Sequence, residues 1–293
     1  MSHGVDRAVR WGTAELTRAG VQSPAVDAEQ LLAHAAGRVV GELRRDRVLG
    51  RDLDETTLTA YRALVERRAT RVPLQHLTGT AHFAGLDLTV GPGVFVPRPE
   101  TEMLRTLALA ELERTAEPVV LDLCTGSGAL ALALAAAVPS AWVGAVELSP
   151  EAHRYAATNL VAHPAGARVD LRLGPAQEAF PELLGRVDVI TCNPPYIPSD
   201  AEPVDPEVRE HDPELALYGG GEDGLEVPRQ IAGWALRLLR PGGGLLMEHA
   251  DAQGESLPGE LRQLGFVDVS DHPDLGGRPR VARGARAQLE VRT

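Results

Sequence analysis

The sequence predicts an α/β chain, an open and mostly parallel sheet with helices on both faces, preceded by a small all-helical region. Three observations carry this. From residue 119 onward, short apolar and β-branched runs alternate with helix-length segments, the pattern of a doubly wound sheet. The first run, Val119–Leu123, leads at once into a glycine turn, Cys124-Thr125-Gly126-Ser127-Gly128, and the alanine- and leucine-rich stretch Ala129–Ala137, so it reads as strand, turn, helix. Residues 1–78 carry helical patterns and no strand signal.

Within residues 1–78, helices are expected over 8–19, 25–36 and 54–70. Ser23 is placed as an N-cap with Pro24 at the first helical position and Asp27 as its capping-box partner. Residues 83–90 alternate like a strand and are punctuated by Gly85 and Gly91-Pro92-Gly93, which suggests a hairpin linker over 79–97. A second domain then runs over 98–293. After the glycine turn come a strand over 142–146 ending at Glu147, a helix over 150–161, the strands Val169–Leu173 and Val187–Cys192, and a helix over 225–239. A strand over 244–248, a helix over 253–264 and a strand over 266–269 follow. The last strand is expected over 281–286, short and interrupted by Gly284.

Two places on this frame carry chemistry. Gly126 and Gly128 allow positive φ and close backbone approach, and free N–H groups at the following helix start favour a carboxylate. Glu147, roughly 20 residues on, is placed to accept both hydroxyls of a ribose. The third glycine of a dinucleotide fingerprint and a Gly-Lys-Ser/Thr phosphate loop are both missing, so a nucleoside carrying an amino-acid carboxylate fits better than a pyrophosphate. The second place is Asn193-Pro194-Pro195-Tyr196, directly after an apolar strand. Paired prolines end the strand and hold the turn's carbonyls rigidly, which offers acceptors to a planar NH2 group; alone, such a pair is also what an ordinary loop contains.

Asp122 to Gly128, Glu147 and Asn193 to Tyr196 together resemble the seven-stranded, Rossmann-like S-adenosylmethionine-dependent methyltransferases that act on a planar exocyclic or amide nitrogen. Val94-Phe95-Val96-Pro97-Arg98-Pro99-Glu100-Thr101-Glu102, with Pro73 to Gly79 before it and Tyr218 to Leu225 after it, narrows the likeness to the PrmC/HemK family, the peptide chain release factor N(5)-glutamine methyltransferases. Matching stretches run from about residue 31 to about residue 283. The resemblance implies methyl transfer from S-adenosylmethionine to the glutamine amide in the Gly-Gly-Gln loop of class I release factors, with the N-terminal helical domain helping to grip that protein. It makes Asp122, Cys124, Thr125, Gly126, Ser127, Gly128, Glu147 and Asn193 the cofactor-binding candidates. Asn193, Pro194, Pro195 and Tyr196 are the acceptor-binding candidates, with Asn193, Pro194 and Tyr196 closest to the chemistry. The chain departs from the family pattern at three points: Cys124 stands where glycine is common, Gly174-Pro175-Ala176 where Gly-Asp is usual, and Gly277-Arg278-Pro279-Arg280 where Gly-Arg-Asp-Arg is usual. The adenine contacts are therefore unassigned, with Gln177 or Glu178 as substitutes.

A formal net charge of −12 argues against holding duplex nucleic acid through its phosphates. Arg62, Arg67, Arg68 and Arg71 lie along one expected helix, either as a solvated face or as a local docking patch. Residues 200–214 hold seven acidic residues and one arginine, a solvated loop or a rim that speeds encounter with a basic partner. Cys124 and Cys192 are expected close together and reduced; with no metal spacing, signal peptide or apolar run of membrane length, no metal and a cytoplasmic location are expected. Three alternatives stay open: a ribosomal-protein glutamine methyltransferase, a DNA adenine-N6 methyltransferase using the same Asn-Pro-Pro-Tyr logic on a flipped base, and a cofactor-binding module without activity.

Overall fold

The computed structural model describes residues 4–113 and 115–288. Backbone contacts divide the chain into two units, one running to Thr80 and taking in Pro203–His211, the other made of Ala81–Glu202 and the chain from Asp212 on.

The first unit is helical: α1 (Val5–Arg18), α2 (Pro24–Ala35), α3 (Val40–Val48), α4 (Glu55–Ala69) and α5 (Leu74–Thr78). Leu16, Leu31, Leu32, Leu58, Tyr61 and Val65 fill its core. Gly12 lets α1 approach the Tyr61 ring, since a Cβ there would fall 1.9 Å from the Tyr61 hydroxyl oxygen. α1, α2 and α4 are the three helices expected from periodicity; α3 and α5 are additions, α3 being mostly charged and without a legible apolar stripe. The capping box at Ser23 is not formed: the Ser23 side chain caps nothing. Asp27 lies one residue beyond the capping-box position, and its carboxylate instead accepts Arg68 Nε at 2.8 Å.

The same arginine corrects two further expectations. Arg68 is buried, and its other nitrogen reaches Glu207 Oε1 at 2.8 Å. Glu207 belongs to α9 (Pro206–His211), within the segment that joins this unit. Arg71 also pairs with Glu207 and lies 3.6 Å from Asp205. Arg68 and Arg71 are thus spent internally and form no open basic face. Asp205 and Glu207 are likewise not part of a free acidic rim, and Asp212 pairs with Arg98 at 2.7 Å. Burial raises the Glu207 carboxyl, but hydrogen bonds involving Arg71, Asp205 and Arg68 outweigh it and bring the group to about 2.

The second unit opens with a hairpin, β1 (Thr80–Phe83) and β2 (Leu86–Thr89), followed by α6 (Glu102–Leu112). It then alternates as expected through β3 (Val119–Leu123), α7 (Ala129–Ala137), β4 (Trp142–Glu147), α8 (Pro150–Ala162), β5 (Val169–Leu173) and β6 (Val187–Cys192). After α9 come α10 (Glu226–Leu238), β7 (Leu239–Glu248), α11 (Ser256–Leu264), β8 (Phe266–Pro273) and β9 (Pro279–Arg286). The seven-stranded sheet has the order β5-β4-β3-β6-β7-β9-β8, parallel from β5 to β7 and antiparallel at β9 and β8. Helices cover both faces, α6 and α7 on one and α10 and α11 on the other, which is why the central strands are apolar without alternation.

The last strand is longer than expected, eight residues rather than six. Gly284 does not break it, because that position packs under Phe266, whose ring and Cβ lie 3.0–3.1 Å from where a Cβ would stand. β7 also begins five residues earlier than the apolar run, through Arg240 to Gly243.

Candidate active site

β4 and β6 lie on opposite sides of β3, so the strand order reverses there and a crevice opens beyond the carboxyl ends. Leu123 pairs with Cys192 in the parallel register. The glycine turn and Asn193 are therefore neighbours across two adjacent strand ends, and Glu147 ends the third.

The turn is held from below. Asp122, buried at the end of β3, accepts the Thr125 hydroxyl at 2.6 Å and the Thr191 hydroxyl at 2.9 Å. Burial pushes its carboxyl up to about 6 despite these two donors. Cys124 has φ 65°, the left-handed region that favours glycine and costs other residues about 1 kcal/mol or more. The neighbouring Cys192 thiol is raised well above its ordinary range, first by burial and then by Cys124. Both cysteines are free. Gly128, at φ 80°, brings α7 against α8, since a Cβ there would meet Ala156 Cα at 3.3 Å.

Three features mark this turn as a cradle for a ligand. A Cβ added at Gly126 would meet nothing within 4 Å among the described residues. The buried Ser127 hydroxyl has no hydrogen-bond partner among the described residues. The Glu147 carboxylate is fixed in orientation, Oε2 accepting Gly126 N–H and Oε1 accepting Ser149 N–H, each at 2.8 Å. Burial raises Glu147 above the usual carboxylate range, with the Ser149 and Gly126 N–H groups opposing. These are donors and acceptors suited to an amino-acid moiety and a ribose diol.

The Asn193-Pro194-Pro195-Tyr196 turn is clamped by the segment Tyr218 to Leu225. Tyr196 N–H and Ile197 N–H both donate to the Leu217 carbonyl, and Gly219 N–H donates to Ile197 O. Only glycine fits at two positions of the clamp: a Cβ at Gly224 would fall 2.1 Å from Tyr196 O, and one at Gly219 would fall 2.6 Å from Pro195 O. Gln253 Nε2 donates to the carbonyls of Tyr196 (2.9 Å) and Asp223 (2.7 Å), tying turn and clamp together. The Tyr196 hydroxyl is pushed above its ordinary range by burial. Asn193 Nδ2 donates to Thr101 Oγ1 at 3.3 Å, and Thr101 donates to Glu248 Oε2 at 2.8 Å. Among the described residues no group of three or more His, Cys, Asp or Glu is placed to hold a metal ion, and no helix is long and apolar enough to cross a membrane.

A family model described as PrmC N-terminal domain matches residues 7–79, and one described as a methyltransferase domain matches residues 120–208. A release factor glutamine methyltransferase of Streptomyces coelicolor is 50% identical over 283 residues, covering 95% of this chain and 97% of its own length. The chain belongs to the release factor glutamine methyltransferase family. Another member, from Deinococcus radiodurans, is 47% identical over 278 residues, 94% of this chain and 96% of its own. A 4-amino-L-phenylalanine/4-methylamino-L-phenylalanine methyltransferase of Streptomyces pristinaespiralis is 43% identical over 260 residues, covering 86% of this chain and 85% of its own.

For a member of this family, the sequence motifs assemble in one crevice on three adjacent strand ends. Thr101, Glu248 and Gln253 also belong to it and were not picked out from sequence. Glu248 had a signal, a carboxylate closing an apolar strand; Gln253 lies within a helical pattern and had none.

Proposed function

We propose that this protein transfers the methyl group of S-adenosylmethionine to the side-chain amide nitrogen of the glutamine in the Gly-Gly-Gln loop of a class I peptide chain release factor. The observation that carries the proposal is the clamped Asn193-Pro194 turn beside the glycine turn and Glu147, in a chain of this family. Such a reaction on the translation machinery would place the protein in the cytoplasm, with the release factor as its protein partner.

The residues fit the cofactor. Glu147 would hold the ribose hydroxyls, and the turn from Cys124 through Thr125, Gly126 and Ser127 to Gly128 would receive the amino-acid end, with the Ser127 hydroxyl as an unspent partner. Asp122 acts through Thr125, by holding the turn's shape. Bound there, S-adenosylmethionine supplies an electrophilic methyl on a sulfonium.

The chemical obstacle is the acceptor. An amide nitrogen shares its lone pair with the carbonyl and is a poor nucleophile, so holding matters more than deprotonation. The Asn193 side-chain oxygen and the Pro194 carbonyl accept the two N–H hydrogens and aim the nitrogen at the methyl. Pro195 keeps the turn rigid, and Tyr196 packs on the amide plane. As the N–C bond forms and the C–S bond breaks, positive charge moves to nitrogen, where these acceptors stabilise it more in the transition state than in the ground state. In-line placement supplies much of the remaining acceleration. The methylated, protonated amide is strongly acidic and gives its proton to water, so no general base precedes transfer.

The relative named for an aromatic amine favours a second reading worth testing, because an aniline nitrogen has the same delocalised lone pair and would meet the same acceptors. The deciding assay presents labelled S-adenosylmethionine with a class I release factor, the same factor with its Gly-Gly-Gln glutamine changed to alanine, a ribosomal-protein fraction, duplex DNA and 4-amino-L-phenylalanine, each separately. Label on the intact factor alone supports the proposal. Label on ribosomal protein, the amino acid or DNA reassigns the acceptor, and no label anywhere leaves a binding module. Asn193→Ala should lower the rate by about 10²–10³-fold, the usual cost of one such electrostatic contact.

A further inference from the structure

The segment Pro97 to Glu102 is distinctive in sequence, yet the mechanism so far gives it no task. Residues Pro99–Thr101 form one turn of 3-10 helix that leads into α6. Thr101 stands at the N-cap position of α6, but its side chain makes no capping hydrogen bond. It is buried at 8% exposure, and its hydroxyl is spent elsewhere. It donates to Glu248 Oε2 at 2.8 Å and accepts from Asn193 Nδ2 at 3.3 Å. Glu248 ends β7, one strand beyond Asn193's own, and is 3% exposed.

A carboxamide has nearly the same shape when turned by 180° about its last bond, so packing alone leaves the choice between oxygen and NH2 open; hydrogen-bond partners must set it. Thr101 sets it through proton count. A threonine hydroxyl owns one proton, and the ionised Glu248 carboxylate, which has none to give, takes it. What Thr101 can offer Asn193 is then a lone pair, which accepts from NH2 and repels a carbonyl oxygen. Asn193 must therefore turn its NH2 toward Thr101, and its Oδ1, on the other branch of Cγ, faces away from it. The reverse orientation would present N–H donors to an acceptor amide that itself carries two N–H donors.

We infer that Thr101 and Glu248 form a positioning pair that fixes which end of the Asn193 carboxamide meets the acceptor nitrogen, making oxygen the atom presented. The inference rests on the proposed reading of Asn193 as the acceptor-holding residue. It assigns a task to the Pro97 to Glu102 segment: Thr101 is carried there so that the hydroxyl lies between a strand-end carboxylate and the catalytic turn.

The test compares Thr101→Val, which keeps the shape and removes the hydroxyl, with Thr101→Ser, which restores it. For each, kcat and KM are measured on whichever acceptor the wild type labels, with the S-adenosylmethionine Kd by calorimetry and the melting temperature. Thr101→Val should lower kcat by roughly ten- to a hundred-fold, the scale set by misaligning a reacting group, while the cofactor Kd stays within about three-fold and Thr101→Ser recovers most of the rate. A purely structural threonine would move the melting temperature and leave kcat of the folded enzyme in place. Full kcat in Thr101→Val, or equal damage in Thr101→Ser, overturns the inference.

Asn193→Ala run alongside separates the two failures. If it is inactive while Thr101→Val is fully active, only the positioning pair falls; if Asn193→Ala is itself fully active, or the wild type labels no acceptor, the reading of Asn193 falls and takes the pair with it. Should Thr101→Val not fold, asparagine-selective 15N NMR of the wild type decides. The side-chain NH2 signal lost in Asn193→Ala should show slowed solvent exchange, and an NH2 pair exchanging like free amide refutes the arrangement.

Discussion

Arg68→Met should destabilise the helical unit far more than loss of a surface charge does. Arg68 is 7% exposed and holds two carboxylates, Asp27 Oδ2 and Glu207 Oε1, each at 2.8 Å, and also donates to the Val72 carbonyl at 3.1 Å. Methionine covers the same apolar stem but takes the charge away. Glu207 keeps Arg71; Asp27, itself 6% exposed, loses the cation that compensates it. Breaking a buried pair in this way costs about 3–5 kcal/mol, most of it the uncompensated charge and not the lost attraction. Because the cost lies in the stranded carboxylate, Asp27→Asn combined with Arg68→Met should recover at least about half of it. Urea unfolding followed by far-UV circular dichroism measures both variants. Trypsin cleavage after Arg209, in the segment that Glu207 anchors, should quicken in Arg68→Met at native conditions. A loss below about 1 kcal/mol, the value of an exposed pair, would refute the reasoning.

The crevice gives two further expectations. On the proposed placement of the ribose, Glu147→Ala would remove two charge-assisted contacts, each worth about 1.5–3 kcal/mol. Calorimetric Kd for S-adenosylmethionine should then rise by at least about 30-fold, and an unchanged Kd would remove Glu147 from the cofactor site. Glu248 gives a pH signature. Burial is the dominant influence and, against the Thr101 hydroxyl and the Arg280 charge and with Glu100 adding to it, pushes the carboxyl up from 4.5 to about 7. A folded pKa above the unfolded one means the native state binds the proton more tightly, so this contribution is complete below about 4.5 and is lost as pH rises to about 7; at about 1.4 kcal/mol per unit it amounts to about 3 kcal/mol. Asp122, raised to about 6, acts in the same direction. Urea midpoints of Glu248→Gln should show a flatter decline than the wild type between these values; an identical slope would contradict the assigned burial.

What could be read from the sequence was what one period or one turn encodes. Val119–Leu123, the glycine turn and Ala129–Ala137 are contiguous, and the structure keeps those boundaries because apolar run, left-handed glycines and helix formers act on neighbouring residues. Asn193 was legible for the same reason: two prolines must end the strand they follow. Contacts between distant residues were not legible. Nothing near Arg68 in sequence says that it meets Glu207, 139 positions later; the face of α4 shows only an arginine among arginines. The acidic run over 200–214 likewise shows its charge but not that Glu207 meets the buried Arg68 or that Asp212 meets Arg98. The failed capping box at Ser23 is a local misreading, one residue in register, and the displaced Asp27 proves to be an end of that same ionic contact.

Two of the segments that make the chain recognisable serve the Asn193 turn without carrying the reacting atoms. Gly219 and Gly224 are required because the turn's carbonyls approach closer than any Cβ permits, and Thr101 contributes a single hydroxyl between Glu248 and Asn193. This division follows from the chemistry. An amide acceptor cannot be activated cheaply by removing a proton, so rate enhancement has to come from fixed dipoles and in-line placement, and both degrade quickly with small displacements. A turn on a loop end would be loose if left alone. Here prolines stiffen it from within, a glycine clamp and Gln253 hold its backbone, and the Thr101 to Glu248 contact orients the Asn193 carboxamide. Substitutions that loosen the clamp should therefore lower kcat with little change in cofactor affinity, because the turn proposed to receive the cofactor is held separately, by Asp122 through Thr125 and by Glu147 through Gly126 and Ser149.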